Sequence, residues 1–359
     1  MLSLFNLKTP RFLRVGVAVV ICLALLHFFS VAWESTSRPV RAENSARPPS
    51  SATTRPDADD ASPKTTYGFP ATVWFSAKYE NISASQREWV NSWAKKNPSY
   101  RHELLTDRTA EEFVRAHFLE TRPDIVQVYE ALSIPILRAD LLRYLIIFAE
   151  GGIWSDLDVA CEKPVPSWVP PEYADRNIDM VVGLEFDFEW RGEGTEVASQ
   201  FCNWVFMAKR SSRNLQVIVD SVVAKLKEIA SANGVRIEDL TLDMLPVDVV
   251  NVTGPKIMTF SILDSLGQLL GRTVDDRDFH GIKHPLLLGD VLIMPGVSFA
   301  AMQNKYPTDQ GDPLVTHHYE GSWKQADAEA KERKKQKEKE MEKEKEKEKE
   351  KEQEKHTTR

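Results

Sequence analysis

Hydrophobic and polar positions divide this chain into unequal stretches. Residues 15–33 are almost unbroken apolar, with His27 the only strongly polar side chain. A run of about 19 such residues is long enough to cross a bilayer as a helix. Residues 34–66 carry Ser, Thr, Pro, Ala and Arg with hardly a large apolar side chain, which predicts a disordered stem. Residues 67–324 hold the only pattern of a packed domain. Strands are expected at 71–77, 100–105, 153–159, 180–184 and 289–295, and helices at 85–96, 108–119, 201–208, 214–229 and 256–270. In the helix over 85–96, Trp89 and Trp93 stand four apart as core anchors. Pro135 suits a first helical turn, and Gly151-Gly152 supplies the positive-φ residues that end that helix before a strand. Alternating β and α elements predict an α/β sheet. Residues 325–359 are nearly all Lys and Glu, a solvated helix or charged tail that buries nothing.

Charge decides the orientation of the apolar run. Lys8, Arg11 and Arg14 precede it and no acidic residue appears before Glu34, so the positive-inside rule leaves residues 1–14 in the cytosol and the rest lumenal. That is a single-span type II signal anchor; the alternative is a signal peptide cleaved after Ser30-Val31-Ala32. In a lumen, Asn81-Ile82-Ser83 and Asn251-Val252-Thr253 are glycosylation sequons. Cys161 and Cys202 are the lumenal cysteines, and spacing alone does not pair them. The net charge of −7 argues against a nucleic-acid partner.

The candidate chemistry lies between Pro135 and Pro164. Asp140 and Arg143 sit inside an otherwise apolar helix, three apart and so on one face. The following strand ends in Asp156-Leu157-Asp158, where a period of two aims both carboxylates to one side. Such a pair at a strand end suits a hard divalent cation, Mn²⁺ or Mg²⁺, shared with the phosphates of a nucleotide diphosphate. The competing reading is an Asp-rich turn beside a structural ion pair. Two further Asp-x-Asp triplets, Asp57-Ala58-Asp59 and Asp276-Arg277-Asp278, lack that context. Glu185 and Asp187 follow an apolar strand and are candidates to position an acceptor hydroxyl or act as a base. The run from His317 to Trp323 holds an imidazole, a glycine, a hydroxyl and an indole, the parts of a flap over a diphosphate.

The stretch ILRADLLRYLIIFAEGGIWSDLDV resembles the Asp-x-Asp region of glycosyltransferase family 32, within it the fungal initiation-specific alpha-1,6-mannosyltransferase group. Leu104-Leu105-Thr106-Asp107, Val181-Val182-Gly183-Leu184-Glu185, Phe201-Cys202-Asn203-Trp204, Thr253-Gly254-Pro255 and Gly321-Ser322-Trp323-Lys324 follow in the family's order, across residues 69–324. The resemblance implies a GT-A catalytic domain over 67–324, a Golgi type II enzyme, GDP-mannose as donor, Mn²⁺ as cofactor and an N-linked glycan as acceptor. It implies metal and diphosphate contacts for Asp156, Asp158 and His317, and donor contacts for Asp140, Arg143, Trp154, Ser322 and Trp323. Trp154 replaces the Tyr frequent in relatives, and the opening Phe69–Ser76 segment lacks the usual Trp-x-Thr-Trp run. Mannosylation of inositol phosphoceramide, and an idle Golgi-anchored subunit of a mannosyltransferase complex, are the alternatives.

Overall fold

A computed structural model of the protein describes residues 67–189, 197–246, 248–304, 306 and 308–321, and seven exposed helical positions between 328 and 339. The proposed anchor at 15–33 and the stem at 34–66 lie outside the described residues, within which no helix is long and apolar enough to cross a membrane. The described residues belong to one unit, Ala61–Arg359.

In chain order the elements are β1 (Thr72–Ala77), α1 (Ala84–Lys96), β2 (Arg101–Thr106), α2 (Asp107–Phe118), α3 (Pro123–Ala131), α4 (Pro135–Glu150), β3 (Gly152–Ser155) and β4 (Val159–Cys161). They continue with β5 (Met180–Asp187), β6 (Ser199–Phe201), β7 (Val205–Ala208), α5 (Arg213–Ala232), α6 (Val249–Val252) and α7 (Pro255–Leu270). The last are β8 (Leu286–Leu288), β9 (Val291–Met294), α8 (Gly296–Asn304) and β10 (Val315–His317). One mixed sheet has the order β2-β1-β3-β7-β5-β9-β8, with β6 attached to β5, and β10 pairs with β4 in a second, two-stranded sheet. β1 runs parallel to β2 and β3, and β5 parallel to β9, while β7 is antiparallel to both its neighbours.

Alternation along the strands feeds two cores. Val73, Phe75, Ile153, Leu292 and Met294 face one; Trp74, Trp154, Val291 and Ile293 face the other. Both faces of the sheet are therefore covered, as expected where parallel strand pairs are joined through helices.

The helix stop lies where the sequence predicts it. Gly151 has φ 67° and its N–H returns to Ile147 O at 2.8 Å, while the orphan carbonyl of Gly151 accepts from Trp74 Nε1 at 3.0 Å. Gly152 has φ 100°, and a Cβ there would stand 2.5 Å from Thr72 O on β1, so only glycine lets β3 close against its neighbour.

Several predicted elements are corrected. Residues 201–208 are the end of β6, a turn and β7 rather than a helix; an apolar run this short does not distinguish a buried strand from a buried helix. The strand expected over 153–159 is two strands broken at Asp156–Asp158. Trp93 is core, but Trp89 is half-buried and stacks on His318 with ring centroids 4.2 Å apart. Cys161 and Cys202 are both buried and free. Asp276 is buried and accepts the N–H groups of Ala198 and Ser199, so the Asp276-Arg277-Asp278 triplet anchors β6.

Where α2 meets the end of α4, His117 Nδ1 faces Phe113 O and Nε2 faces Glu150 Oε1, both at 2.8 Å. Two acceptors require two N–H donors, so this ring is an imidazolium. The Glu150 hydrogen bond raises the His117 pKa despite burial, and the same contact lowers that of Glu150. The His117 contribution is present in full below its unfolded pKa of about 6.5 and is lost as pH rises through the folded value. The Glu150 contribution is present above its unfolded pKa and lost as pH falls through its folded value. His117→Ala is therefore expected to lower the thermal midpoint more at about pH 5.5 than at about pH 8.5; an equal loss at both would show that the ring acts through packing alone.

Candidate active site

α4 is apolar nearly all round and buried, so its two charges are buried with it: Asp140 is 3% and Arg143 5% exposed. Their side chains pair at 2.9 Å. A buried ion pair is sustained by further hydrogen bonds to its remaining polar atoms, and here Arg143 Nε is the one buried atom of the pair with none among the described residues. Asp140 Oδ1 also accepts from Asn203 Nδ2 at 3.2 Å, and Oδ2 from Thr253 Oγ1 at 2.8 Å. Arg143 Nη1 donates to Asn203 O at 2.8 Å. Burial pushes the Asp140 carboxyl up, against the pull of Arg143, Thr253 and Asn203.

From this pair the polar surface continues into the turn after β3. The Arg143 guanidinium lies 5.5 Å from the centre of the Trp154 ring, and Nη1 is 3.5 Å from Asp156 Oδ1. Trp154 Nε1 donates to the same Oδ1 at 2.7 Å. The Asp156 N–H bonds Trp204 O at 2.9 Å and its carbonyl accepts from Val159 N at 3.2 Å. This turn, not a two-residue strand period, sets the carboxylates. Asp156 turns toward Arg143 and Trp154; Asp158 turns toward the chain end.

There the pairing of β10 with β4 sets His317 opposite Val159. His317 Nε2 comes within 3.3 Å of Asp158 Oδ2, which also accepts the Glu320 N–H at 3.0 Å. The His318 N–H bonds Asp158 O at 2.8 Å. The Glu320 carboxylate accepts from Ser85 Oγ at 3.2 Å and Gln86 Nε2 at 2.8 Å, fastening the segment to the start of α1. Burial and His317 act oppositely on Asp158, and the His317 contact prevails, holding its carboxyl below the usual range. Asp156 is pushed up to about 6, first by burial and also by Asp158, against the pull of Arg143. Although 26% of the Asp156 side chain opens into the pocket, protein surrounds it on every other side.

The result is a pocket of 480 Å³ at the strand ends, and Asp140, Arg143, Trp154, Asp156, Asp158, Glu185 and His317 all line it. Asp187 does not. A β-bulge between Leu184 and Phe186 shifts the register of β5 against β6, so Glu185 and Asp187 face different sides although two residues apart. Glu185 accepts from Gln200 Nε2 at 2.9 Å. Asp187 is tied instead to His280 Nδ1 at 2.6 Å, Gly281 N at 2.8 Å and Ser199 Oγ at 2.5 Å, away from the pocket that Glu185 lines. Ser322 and Trp323 lie outside the described residues.

Sequence reasoning gave no role to Asn203, Thr253, Trp204 or Tyr319. Three of them line the pocket, and Thr253 bonds Asp140 behind it. The signals for Asn203 are its place in the Phe201–Trp204 run that the resemblance carries and its polar side chain within the apolar run over 201–208. Of the two sequon asparagines, Asn81 is exposed, whereas Asn251 is half-buried with its amide on Asp248 Oδ1 at 2.5 Å.

Among the described residues no three His, Cys, Asp or Glu side chains are grouped to hold a metal ion by themselves. Asp156 and Asp158 line one pocket, and a divalent cation bound there would take the rest of its shell from outside the protein. Mg²⁺ and similar ions are commonly held by one or two carboxylates together with substrate phosphates.

Paired carboxylates and a buried guanidinium thus line a half-open pocket at the strand ends of an α/β sheet, where such sheets bind their ligands. Residues 83–175 match the family described as the glycosyltransferase sugar-binding region containing DXD motif. The chain is 31% identical over 279 residues to the initiation-specific alpha-1,6-mannosyltransferase of Schizosaccharomyces pombe, covering 73% of this chain and 67% of that protein. It is 27% identical over 295 residues to the Candida albicans protein of the same name, covering 71% and 72%. A shorter match, 33% over 104 residues, reaches the mannosyl phosphorylinositol ceramide synthase SUR1 of Saccharomyces cerevisiae, covering 29% and 26%. This chain belongs to the DXD-containing glycosyltransferase family and is a glycosyltransferase.

Proposed function

We propose that the protein transfers mannose from GDP-mannose to the 6-hydroxyl of a mannose on an N-linked glycan, with retention at the anomeric carbon. The observation that carries this is the gathering of Asp140, Arg143, Asp156 and Asp158 around one pocket, in a chain with long matches to proteins named initiation-specific alpha-1,6-mannosyltransferase.

In this reading Asp156, Asp158 and His317 hold Mn²⁺ against the diphosphate, with Mg²⁺ as a substitute. The metal, when bound, supplies charge neutralisation for the leaving diphosphate. Arg143 adds a fixed positive charge beside Asp156, already paid for by Asp140 and the Asn203 carbonyl. Trp154 lines the same pocket as a wall for the donor. Asp140 has both carboxylate oxygens engaged within the protein; it acts by holding Arg143 and the pocket wall in place. Glu185, half-buried at the pocket edge and steadied by Gln200, orients the acceptor hydroxyl. The fold is read as GT-A. The region 15–33 anchors the chain in the Golgi membrane with the catalytic domain in the lumen, where exposed Asn81 is the better placed glycosylation acceptor.

The test is the full chain with Mn²⁺ or EDTA, screened with GDP-mannose and UDP-sugars on a core N-glycan and on inositol phosphoceramide. Metal-dependent mannose transfer to the glycan, with the new linkage read as alpha-1,6, is the expected result. Transfer confined to the lipid would reassign the acceptor. A folded protein that neither transfers nor binds GDP-mannose would make it an idle subunit of a larger complex.

A further inference from the structure

The bulge that separates Glu185 from Asp187 also orders the residues beyond it. In the ladder with β6, Leu184 stands opposite Phe201 but Phe186 stands opposite Gln200. Phe186 therefore shares a side of the strand with Gln200, whose amide reaches Glu185 at the pocket edge. Phe188, two residues on, returns to that side.

Phe188 is 54% exposed, one of few large apolar side chains left in solvent among the described residues. Its ring stacks on half-buried Phe186 with centroids 5.0 Å apart and planes inclined by 19°. The Phe188 N–H is bonded to Ala198 O at 2.9 Å, so the ring stands on a paired strand and is braced from behind. Its outer face remains open. A single exposed apolar side chain is ordinary on a protein surface; this one is set apart by being stacked on a second ring just past Glu185, which lines the pocket.

We propose that the Phe186–Phe188 pair is an acceptor subsite that stacks a sugar ring of the glycan beyond the one receiving the transfer. The inference rests on the proposed function for which sugar is transferred, and on the geometry for where the glycan lies. Three residues of strand separate Glu185 from Phe188, a reach of roughly 10 Å, so a sugar whose hydroxyl is held at Glu185 directs its neighbours along the strand toward the ring. A pyranose presents a face of C–H groups to the negative face of an aromatic ring, and bracing by Phe186 removes ordering cost from the contact. The subsite thus selects an oligosaccharide over a single sugar.

The test uses the full chain as wild type, Phe188→Ala and Phe188→Trp, with methyl α-mannoside and an α-linked mannose oligosaccharide as acceptors. Phe188→Ala is expected to raise KM for the oligosaccharide about fivefold to tenfold, leaving KM for methyl α-mannoside, KM for GDP-mannose and donor hydrolysis without acceptor unchanged. Phe188→Trp is expected to keep the oligosaccharide KM near wild type. An unchanged oligosaccharide KM in Phe188→Ala, or an equal rise for both acceptors, overturns the subsite. Calorimetric binding of the same oligosaccharide separates the two readings: if wild type turns over no mannose, yet affinity falls in Phe188→Ala, mannosyl transfer fails and the subsite stands. Equal affinity in both proteins rejects it.

Discussion

Asp158→Ala is expected to remove metal-dependent transfer by about 10³-fold or more in kcat, since neutralising the leaving group is worth several kcal/mol and each tenfold in rate is about 1.4 kcal/mol. Two roles meet at this carboxylate. Oδ2 accepts the Glu320 N–H and faces His317, and the backbone carbonyl takes the His318 N–H. Truncation therefore frees the 317–321 segment as well as removing a metal donor. Asp158→Asn separates these, because an amide oxygen still accepts from Glu320 while losing the negative charge. If charge at the metal is what matters, Asp158→Asn folds with a wild-type thermal midpoint, fails to turn over, and loses the midpoint increase that Mn²⁺ with GDP gives the wild type. Near-full activity in Asp158→Ala would remove the carboxylate from the mechanism.

How much of this site was legible in the sequence depends on the range of the interactions that set each residue. Asp140 and Arg143 were readable because helical spacing fixes which residues share a face. Gly151 and Gly152 were readable because a helix stop has its own backbone chemistry. Strand positions were readable where β1, β3 and β9 simply alternate between the two cores. The misreadings occur where a long-range contact overrides local period. The strand expected to end in Asp156-Leu157-Asp158 stops at Asp156, whose N–H makes the last bond toward β7, to Trp204 O 48 residues along the chain, before the chain turns and Val159 N bonds back to Asp156 O. Glu185 and Asp187 part because Glu185 is the extra, unpaired residue of a bulge between Leu184 and Phe186, and nothing in the apolar run before them marks it. Asn203 and Thr253 gain their roles only when β6, β7 and α7 arrive beside α4. A single asparagine within an apolar stretch is compatible with a turn, a cap or a hub, and only the fold distinguishes these.

Arg143→Met is expected to cost about 3–5 kcal/mol, the usual penalty for leaving a buried partner charge unpaired, and to abolish transfer. The arginine is 5% exposed and serves Asp140, Asp156 and the Asn203 carbonyl at once. Arg143→Lys keeps the charge but replaces a planar fork with a point donor, which cannot span these acceptors, so activity should fall nearly as far with a smaller loss of stability. The informative variant removes the pair. In Asp140→Leu/Arg143→Met, two apolar side chains of similar volume occupy the space, and such replacements often restore or exceed native stability. If Asp140 and Arg143 are there only to hold α4 against β7 and α7, this double variant regains both its thermal midpoint and its activity. If the guanidinium is there for the diphosphate, stability returns and transfer does not. The second outcome is expected: the Arg143 guanidinium stands 3.5 Å from Asp156 at the pocket, where its positive charge can meet a diphosphate, and Asp140 serves to hold it there.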